Sequence, residues 1–426
     1  MALNGGGFIE TGLVIRAGFL LEANWLDEER LVGYARILCG FYAAAAIAWI
    51  ALSPGFIDPN GKPLGTDFMD VWAAGKLALA GDPASAYDFA IHYDVQRHAL
   101  AYPADAQVPY FGWHYPPIFL LVAAPLALVP YGVALAVWMA ITLPLYLAVI
   151  RRIVSCQHWL VVALAFPAVF VNLGHGQNGF LTAGLLGGGL LVLERRPVLA
   201  GILFGLLSYK PQFGILLPLI LAAGSQWRAL LSAGATVIAL AFASAMAFGL
   251  ETWRAFFGSL TLTRGYVLEQ GATGWEKIQS TFSAVRMLGG GIDAAYAAQS
   301  VMLIVVAAAV IFVWRRPAGI GLKGAALATA SIMATPYALD YDLILLALPI
   351  AWLAAEGRAN GFLPWEKIVL FAVFLLPLVS RSIGTFGIPI APPVLLIFLG
   401  VIVRRACVRT AFALAEWSPR TGGQSL

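Results

Sequence analysis

Residues 131–152 read YGVALAVWMAITLPLYLAVIRR, twenty residues without a formal charge closed by two arginines. At about 1.5 Å of rise per residue such a run crosses the roughly 30 Å of hydrocarbon in a bilayer. The arginine pair marks the cytoplasmic end, because short basic loops stay on that side. Apolar windows that reach or approach the same length occur at 34–53, 229–249, 298–314 and 388–404. Of the 426 residues 61% are hydrophobic and only 11% charged, and the mean hydropathy is +0.83. A soluble domain could not wet such a surface. The expected fold is an all-α polytopic membrane protein.

Composition also excludes several classes. The first hydrophobic patch, GLVIRAGFLLEANWLDEERL (12–31), is broken by Arg16 and Glu22 and lacks a small-residue cleavage site, so a signal peptide is not expected. Residues 1–33 read as a cytoplasmic N-terminal segment. The net charge of +4 comes from arginines in short loops, as for any such protein, and no nucleic-acid role follows. Cys39, Cys156 and Cys407 show no metal spacing and imply no disulfide framework, and the five histidines are scattered. Neither a metal site nor a cofactor is expected.

The basic positions set the topology. Arg151-Arg152, Arg195-Arg196, Arg228, Arg315-Arg316, Arg358 and Arg404-Arg405 are assigned to the cytoplasm. Outside turns then fall at 54–116, GHGQN (174–178), SYKPQ (208–212), 250–297, TPYALDYD (335–342) and SRSIGTFG (380–387). Every chemically interesting motif lies on one side. PPIFLLVAAPLALVP (116–130) is short and proline-rich, and reads as a partial or re-entrant helix buried in protein. Segments 198–209 and 211–223 are each too short to cross comfortably and are parted by Lys210-Pro211, which gives a broken or tilted pair. The sum is about 12 crossings, by the length each needs, within a transmembrane domain at 34–404, followed by a cytoplasmic tail at 405–426.

The outside loop at 54–116 is long and polar enough to be a structure with a job. TDFMDVWAAGKLALAG (66–81) has a helical rhythm, with Thr66 or Asp67 as N-cap and Gly81 as stop. A second helix is expected at roughly 86–101, and both helices suit the membrane surface. The segment 250–297 is the second long periplasmic loop.

Five places carry candidate chemistry. Asp67 is either a helix cap or a general base at the membrane face. Asp70, one turn on, could orient Asp67, raise its pKa by like charge, or face water. Lys210, flanked by apolar runs, must pair, snorkel, or meet an anionic phosphate, with Pro211 opening the helix beside it. In NLGHGQNGFL (172–181), His175, Gln177 and Asn178 suit sugar hydroxyls, unless the stretch is only a turn. In FGWHYPP (111–117), His114 and Tyr115 belong to an aromatic belt or to a stacking wall. Asp340, Tyr341 and Asp342 stand at the head of a membrane helix, where paired carboxylates are costly. Arg254, Arg264, Lys277 and Arg286 are the available outside cations, of which Arg264 and Arg286 are taken as further phosphate contacts.

Read together and in order, TDFMDVWAAGKLALAGDPASAYD, HYPPIFLLVAAPLALVPYGVALAVW, GHGQNGFL and LSYKPQFGILLPL resemble glycosyltransferase family 87 of the GT-C superfamily, the polyprenyl-phosphate-mannose-dependent alpha-1,2-mannosyltransferases and their relatives. The resemblance runs from about residue 60 to about 345. It implies a GT-C-like bundle and an inverting transferase, working at the outer face of a bacterial plasma membrane. The implied donor is a polyprenyl-phosphate-linked hexose and the implied acceptor a glycan or glycolipid. The family's base carboxylate maps onto Asp67 rather than Asp70, and no metal is implied. The PYALDYD stretch departs from the family in lacking a tryptophan and a histidine.

The implied chemistry is in-line attack. A hydroxyl deprotonated by Asp67 attacks the anomeric carbon while the lipid phosphate leaves, neutralised by Lys210 with Arg264 or Arg286. The rival class is a secondary transporter of a polar or anionic solute, since broken helices and isolated charges also mark transporters. It predicts carboxylates near the bilayer midplane, whereas here they cluster outside.

Overall fold

The computed structural model describes residues 21–102 and 108–417, with side chains described to residue 410. Residues 1–20 of the expected cytoplasmic segment, Arg16 included, lie outside the described residues, as do 103–107 of the first outside loop and 418–426 of the tail.

The helices in chain order are α1 (Glu28–Ala51), α2 (Phe68–Leu79), α3 (Phe89–Ala99), α4 (Pro117–Leu126), α5 (Tyr131–Ile153), α6 (Trp159–Ala165), α7 (Pro167–His175), α8 (Gly179–Val192), α9 (Pro197–Tyr209), α10 (Pro211–Ala223), α11 (Trp227–Thr263), α12 (Thr281–Met287), α13 (Ile292–Trp314), α14 (Ile320–Met333), α15 (Ala347–Asn360), α16 (Glu366–Gly384) and α17 (Ala391–Trp417). Among the described residues the only extended pairings are single bridges, Ile57 with Pro63 and Ile278 with Leu339. Helices α4, α7, α9 and α10 open on a proline, whose missing N–H would have gone unpaired in the first turn anyway.

Six helices, α1, α5, the α11 run, α13, α16 and α17, are long and apolar enough to cross a membrane. Five shorter apolar helices, α4, α8, α9, α10 and α14, accompany them. The expectation of about 12 crossings, set by the length a span needs, meets these two classes instead of a uniform set. Prolines and the small-residue run of α8 keep the short helices short. The long ones carry the outward surface: Phe41, Ile238, Met246 and Ile304 are each two-thirds exposed or more. Side chains of that kind turned outward along whole helices make a surface for lipid, because no soluble monomer presents so large an apolar patch. In contrast α14 is interior, and Ala325, Ala326, Ala328 and Ala330 are fully buried. Helices gain little from hiding apolar surface against lipid tails, so small residues that allow close packing hold such a centre together.

The basic residues gather at one end. Arg358 pairs with Glu28 at 2.9 Å, and Arg404 donates to the Pro364 carbonyl at 2.9 Å. Arg405, 2% exposed, pairs with the buried Glu366 and donates to the Gly361 carbonyl at 2.7 Å. These contacts tie α1, α15, α16 and α17 together. Helix α16 runs from this end to Arg381, which at the opposite end faces Asp340 of the candidate site at 3.4 Å.

There the expected helix at 66–81 is α2, and the expected helix at roughly 86–101 is α3. Asp88 caps α3 by accepting from the Ala90 and Ile91 N–H groups. Helix α2 lies backbone to backbone on α4, because a Cβ at Gly75 would sit 2.2 Å from the Ala123 carbonyl oxygen. The ten residues of α4 span about 15 Å, the partial helix expected at 116–130. The segment 250–297, read from sequence as a loop, is largely helical. Helix α11 bends at Gly249 (φ 79°, ψ 160°) and continues to Thr263, followed by a π turn at Arg264–Glu269 and then α12. Gln279 N–H donates to the Ala338 carbonyl at 2.7 Å, which fastens this segment beside the Asp340 turn.

Candidate active site

Asp67 occupies the N-cap position of α2, yet its side chain accepts nothing from the first-turn amides. The carboxylate turns to the GHGQN stretch instead. Gln177 Nε2 donates to Oδ2 at 2.9 Å, the Thr66 hydroxyl donates to Oδ1 at 3.3 Å, and His175 Nδ1 lies 3.7 Å from Oδ1. The Asp67 N–H donates to the His175 carbonyl at 3.0 Å, so backbone and side chain both lock the two stretches together. Gly176 makes the close approach possible. It ends α7 in the left-handed region (φ 61°), and a Cβ there would meet the Phe68 Cβ at 2.7 Å. From the other side the Tyr131 hydroxyl, 2.5 Å from the Leu64 carbonyl, fixes the chain that leads into Asp67.

About a quarter of the Asp67 side chain, 23%, stays accessible although protein surrounds it. Burial pushes its pKa up, but the hydrogen bond and charge of His175, the hydrogen bond of Gln177 and the charge of Lys277 outweigh burial and hold it at about 2. Asp67 is therefore ionised at any working pH. The like-charge rise considered for Asp67 falls on its neighbour. Asp70 is 5% exposed, does not face water, and has one carboxyl oxygen with no hydrogen-bond partner. Burial, then the charge of Asp67, push Asp70 well above the usual carboxylate range. Its carbonyl accepts from His92 Nε2 at 3.2 Å, and burial lowers His92 to about 4, so that ring is neutral.

Asn172 joins the GHGQN stretch to a second turn. Its Nδ2 donates to the Tyr341 carbonyl at 2.7 Å, while its Oδ1 accepts from the Gly179 N–H at 3.1 Å. The turn Asp340–Leu346 presents Tyr341 with its ring centre 6.1 Å from that of His175 and 5.1 Å from Lys210 Nζ. Lys210 thus reaches the Asp67 group through Tyr341. It neither snorkels nor stands free: its ammonium pairs with Asp342 Oδ1 at 2.8 Å, with the two side chains 5% and 2% exposed. Asp340 accepts from the Tyr341 N–H at 2.9 Å and faces Arg381 at 3.4 Å.

Asn178 is buried, and its Nδ2 donates to the Tyr115 hydroxyl at 2.8 Å. Tyr115 and Trp113 are buried against Phe119 and Tyr209 rather than facing lipid as a belt. The Tyr87 hydroxyl, from the GDPASAY stretch, donates to the Tyr115 carbonyl at 2.8 Å. His114 points away, and its Nδ1 is 3.0 Å from the Thr263 hydroxyl.

The loop cations are placed differently from the expectation. Arg264 pairs with Glu269 at 3.2 Å, and Arg286 donates to the Gly290 carbonyl at 2.8 Å while its guanidinium lies 4.6 Å from the Trp275 ring. Both serve the fold of their own segment, and no contact brings either to Asp67. Lys277 is the cation whose charge acts on Asp67. It is half-buried and forms no ion pair among the described residues, and the bridge between Ile278 and Leu339 fixes its position. Sequence reading named Lys277 among the outside cations but did not choose it. Its one signal was the tryptophan-lysine pattern of a turn, which carries no distance information. Among the described residues no three His, Cys, Asp or Glu side chains gather as a metal site.

A model of glycosyltransferase family 87 matches residues 113–349, more than half of the chain. The chain belongs to glycosyltransferase family 87. No curated protein and no solved structure matches it. As a member of this family it is a membrane glycosyltransferase, with a sugar donor and an acceptor as substrates. The matched segment holds the GHGQN turn, Lys210 and the Asp340 turn, but begins after α2. In this family 87 transferase the hydrogen bonds of Gln177 and the His175 carbonyl carry Asp67 into the matched part.

Proposed function

We propose that the protein is an inverting hexosyltransferase that moves a mannose-like hexose from a polyprenyl phosphate to an acceptor hydroxyl at the outer face of a bacterial plasma membrane. The observation that carries the reading is Asp67, a partly accessible carboxylate kept ionised by His175 and Gln177. Deprotonation of the acceptor hydroxyl depends on this carboxylate. The freed oxygen attacks the anomeric carbon from the face opposite the phosphate, so a beta-linked donor yields an alpha-linked product. Charge builds on the departing phosphate, and Lys277 and Lys210 are the cations placed to meet it. Lys210 would exchange part of its bond to Asp342 for one to phosphate. Gln177, Asn178 and Tyr341 supply hydrogen-bonding groups for sugar hydroxyls, while Asp70 remains a buried neighbour. The Asp340 turn meets Arg381 at the end of α16 remote from the Arg405–Glu366 pair, which supports an outward orientation by the positive-inside rule.

Membranes containing the wild-type protein should transfer labelled hexose from a synthetic polyprenyl-phosphate hexose to endogenous acceptor, and Asp67→Asn should lose about 10²- to 10⁴-fold of that rate. Equal transfer by both would remove Asp67 from the mechanism.

A further inference from the structure

Helix α13 turns an apolar face outward over half its length and closes that face with two arginines. Near its start Gln299 accepts from the Phe282 N–H at 3.1 Å and donates to the Met333 carbonyl at 2.9 Å, which places this end on the side of the Ile278–Leu339 bridge and the Asp340 turn. The 23 residues of the helix span about 35 Å, so Arg315 and Arg316 stand at the opposite face. Between the two ends Val301, Ile304, Val305, Ala308 and Phe312 are exposed. Their intervals of three, four and seven residues put them on one stripe. From Val301 to Phe312 the stripe is about 16 Å long, roughly one leaflet of hydrocarbon. It ends in a shallow depression of about 530 Å³ lined by Ala308, Ile311, Phe312, Arg315 and Arg316.

The two arginines are positioned but not paired. The Arg316 guanidinium lies 4.1 Å from the centre of the Phe312 ring, and its Nε is buried without a hydrogen-bond partner. Trp314 fixes the backbone beside them. Its Nε1 donates to the Lys323 carbonyl at 3.0 Å, and a Cβ at Gly224 would sit 3.1 Å from its ring, so the end of α13 is held against α14 and the turn after α10. The charges those neighbours bring, Lys323 and Arg228, are positive as well. The carboxylates Glu28, Glu356 and Glu366 pair with Arg358, Arg409 and Arg405. Among the described residues Arg228, Arg315, Arg316 and Lys323 form no ion pair.

We propose that this depression binds an anionic diacyl phospholipid of the cytoplasmic leaflet, with its phosphate on Arg315 and Arg316 and one acyl chain along the stripe from Val301 to Phe312. The site is separate from the transferase reaction and does not rest on it. Guanidinium groups offer phosphate oxygens paired N–H donors in a fixed fork. A headgroup of net negative charge also answers Lys323 and Arg228, whereas a zwitterionic one would bring its own cation beside them. Basic pockets at the cytoplasmic ends of membrane helices take anionic headgroups for this reason. An arginine that merely snorkels extends its head into water, away from the apolar surface. Here the contact with Phe312 holds the Arg316 head back against the stripe, at the depth where acyl chain and phosphate meet.

The test uses the full chain in nanodiscs holding phosphatidylglycerol and phosphatidylcholine in equal amounts. Native mass spectrometry should find the wild type retaining phosphatidylglycerol over phosphatidylcholine. The double variant Arg315→Gln with Arg316→Gln should lower that preference about 25-fold, about fivefold for each basic side chain. The double variant Arg151→Gln with Arg152→Gln, at the basic end of α5, should keep it. Equal losses in the two double variants would make the effect one of net charge and overturn the site, as would a wild type without preference. A photoreactive diazirine side chain at Ala308, in an otherwise unchanged chain, gives a second reading should the arginine variants fail to fold. On illumination it should capture phosphatidylglycerol several-fold more than phosphatidylcholine, and equal capture of the two overturns the proposal. Neither readout involves a sugar donor, so failure of the transferase reading leaves both intact.

Discussion

Replacing Lys210 by methionine strands Asp342, and the size of the penalty follows from where the pair sits. The ammonium is 2.8 Å from Asp342 Oδ1 and both side chains are almost fully buried, while Oδ2 keeps its hydrogen bond from the Leu339 N–H at 3.0 Å. Removing one member of such a pair typically costs about 3–5 kcal/mol. Neutralisation sets a ceiling, because the stranded carboxyl can always take up a proton. From an unfolded value near 3.9, reaching the neutral form at pH 7 costs about 4 kcal/mol, and at pH 5 only about 1.5 kcal/mol. Burial already pushes Asp342 up, opposed by the charge and hydrogen bond of Lys210 and by the Leu339 N–H, so losing the lysine moves it further in the same direction. A carboxyl whose folded pKa is raised destabilises most at high pH, and the penalty shrinks as pH falls toward the unfolded value. Unfolding in mixed micelles, followed by tryptophan fluorescence, should therefore show Lys210→Met less stable by about 3–4 kcal/mol at pH 7 and by about 1–2 kcal/mol at pH 5. The double variant Lys210→Met with Asp342→Leu should recover most of the loss. A penalty below about 1 kcal/mol, or one equal at both pH values, would refute the reasoning.

Three further outcomes follow from the same geometry. Asp67 has a folded pKa lowered to about 2, so its charge contributes about 2 kcal/mol of stability that is complete above the unfolded value and lost as pH falls from about 4 to 2. The stability gap between wild type and Asp67→Asn, read by the same unfolding assay, should close over that window. Gly75→Ala places a methyl against the Ala123 carbonyl and should cost about 1–3 kcal/mol by forcing α2 off α4, visible as a lower melting temperature in detergent. Lys277→Gln should raise the KM for a polyprenyl-phosphate donor about tenfold with kcat little changed, whereas Arg264→Gln should leave donor KM near wild type. Equal KM effects for the two cations would show that Lys277 is not the one that meets the donor.

Some of this architecture is legible in short windows. The break at Lys210-Pro211, a short helix at Pro117–Leu126, the existence of helices α2 and α3, and a carboxylate at the start of α2 all follow from local rules of proline, charge and helical period, whereas the burial of most of α2 does not. Other features did not. The segment after Gly249 reads as a loop because charged residues interrupt its hydropathy, yet helical hydrogen bonds continue through it to Thr263. Arg264 and Arg286 look as available as Lys277 in a linear sequence. What sets them apart is that Glu269 and the Gly290 carbonyl occupy the arginines, while Lys277 forms no ion pair among the described residues. Asp67 and Asp70 look alike as well, one helical turn apart, and only packing leaves the first partly accessible and buries the second.

The sequence by itself determined that the chain lives in a bilayer, where its helices break, and which few polar residues are costly enough to notice. Those properties depend on transfer from water to lipid and on backbone preferences, which each window of residues expresses alone. The tertiary structure decided which of those residues meet. Asp67 is bound by His175 and Gln177, more than a hundred positions along the chain, and Lys210 by Asp342. Such contacts depend on Gly176 admitting the Phe68 Cβ and Gly75 admitting α4, close approaches that depend on both partners at once and leave no mark in either stretch alone.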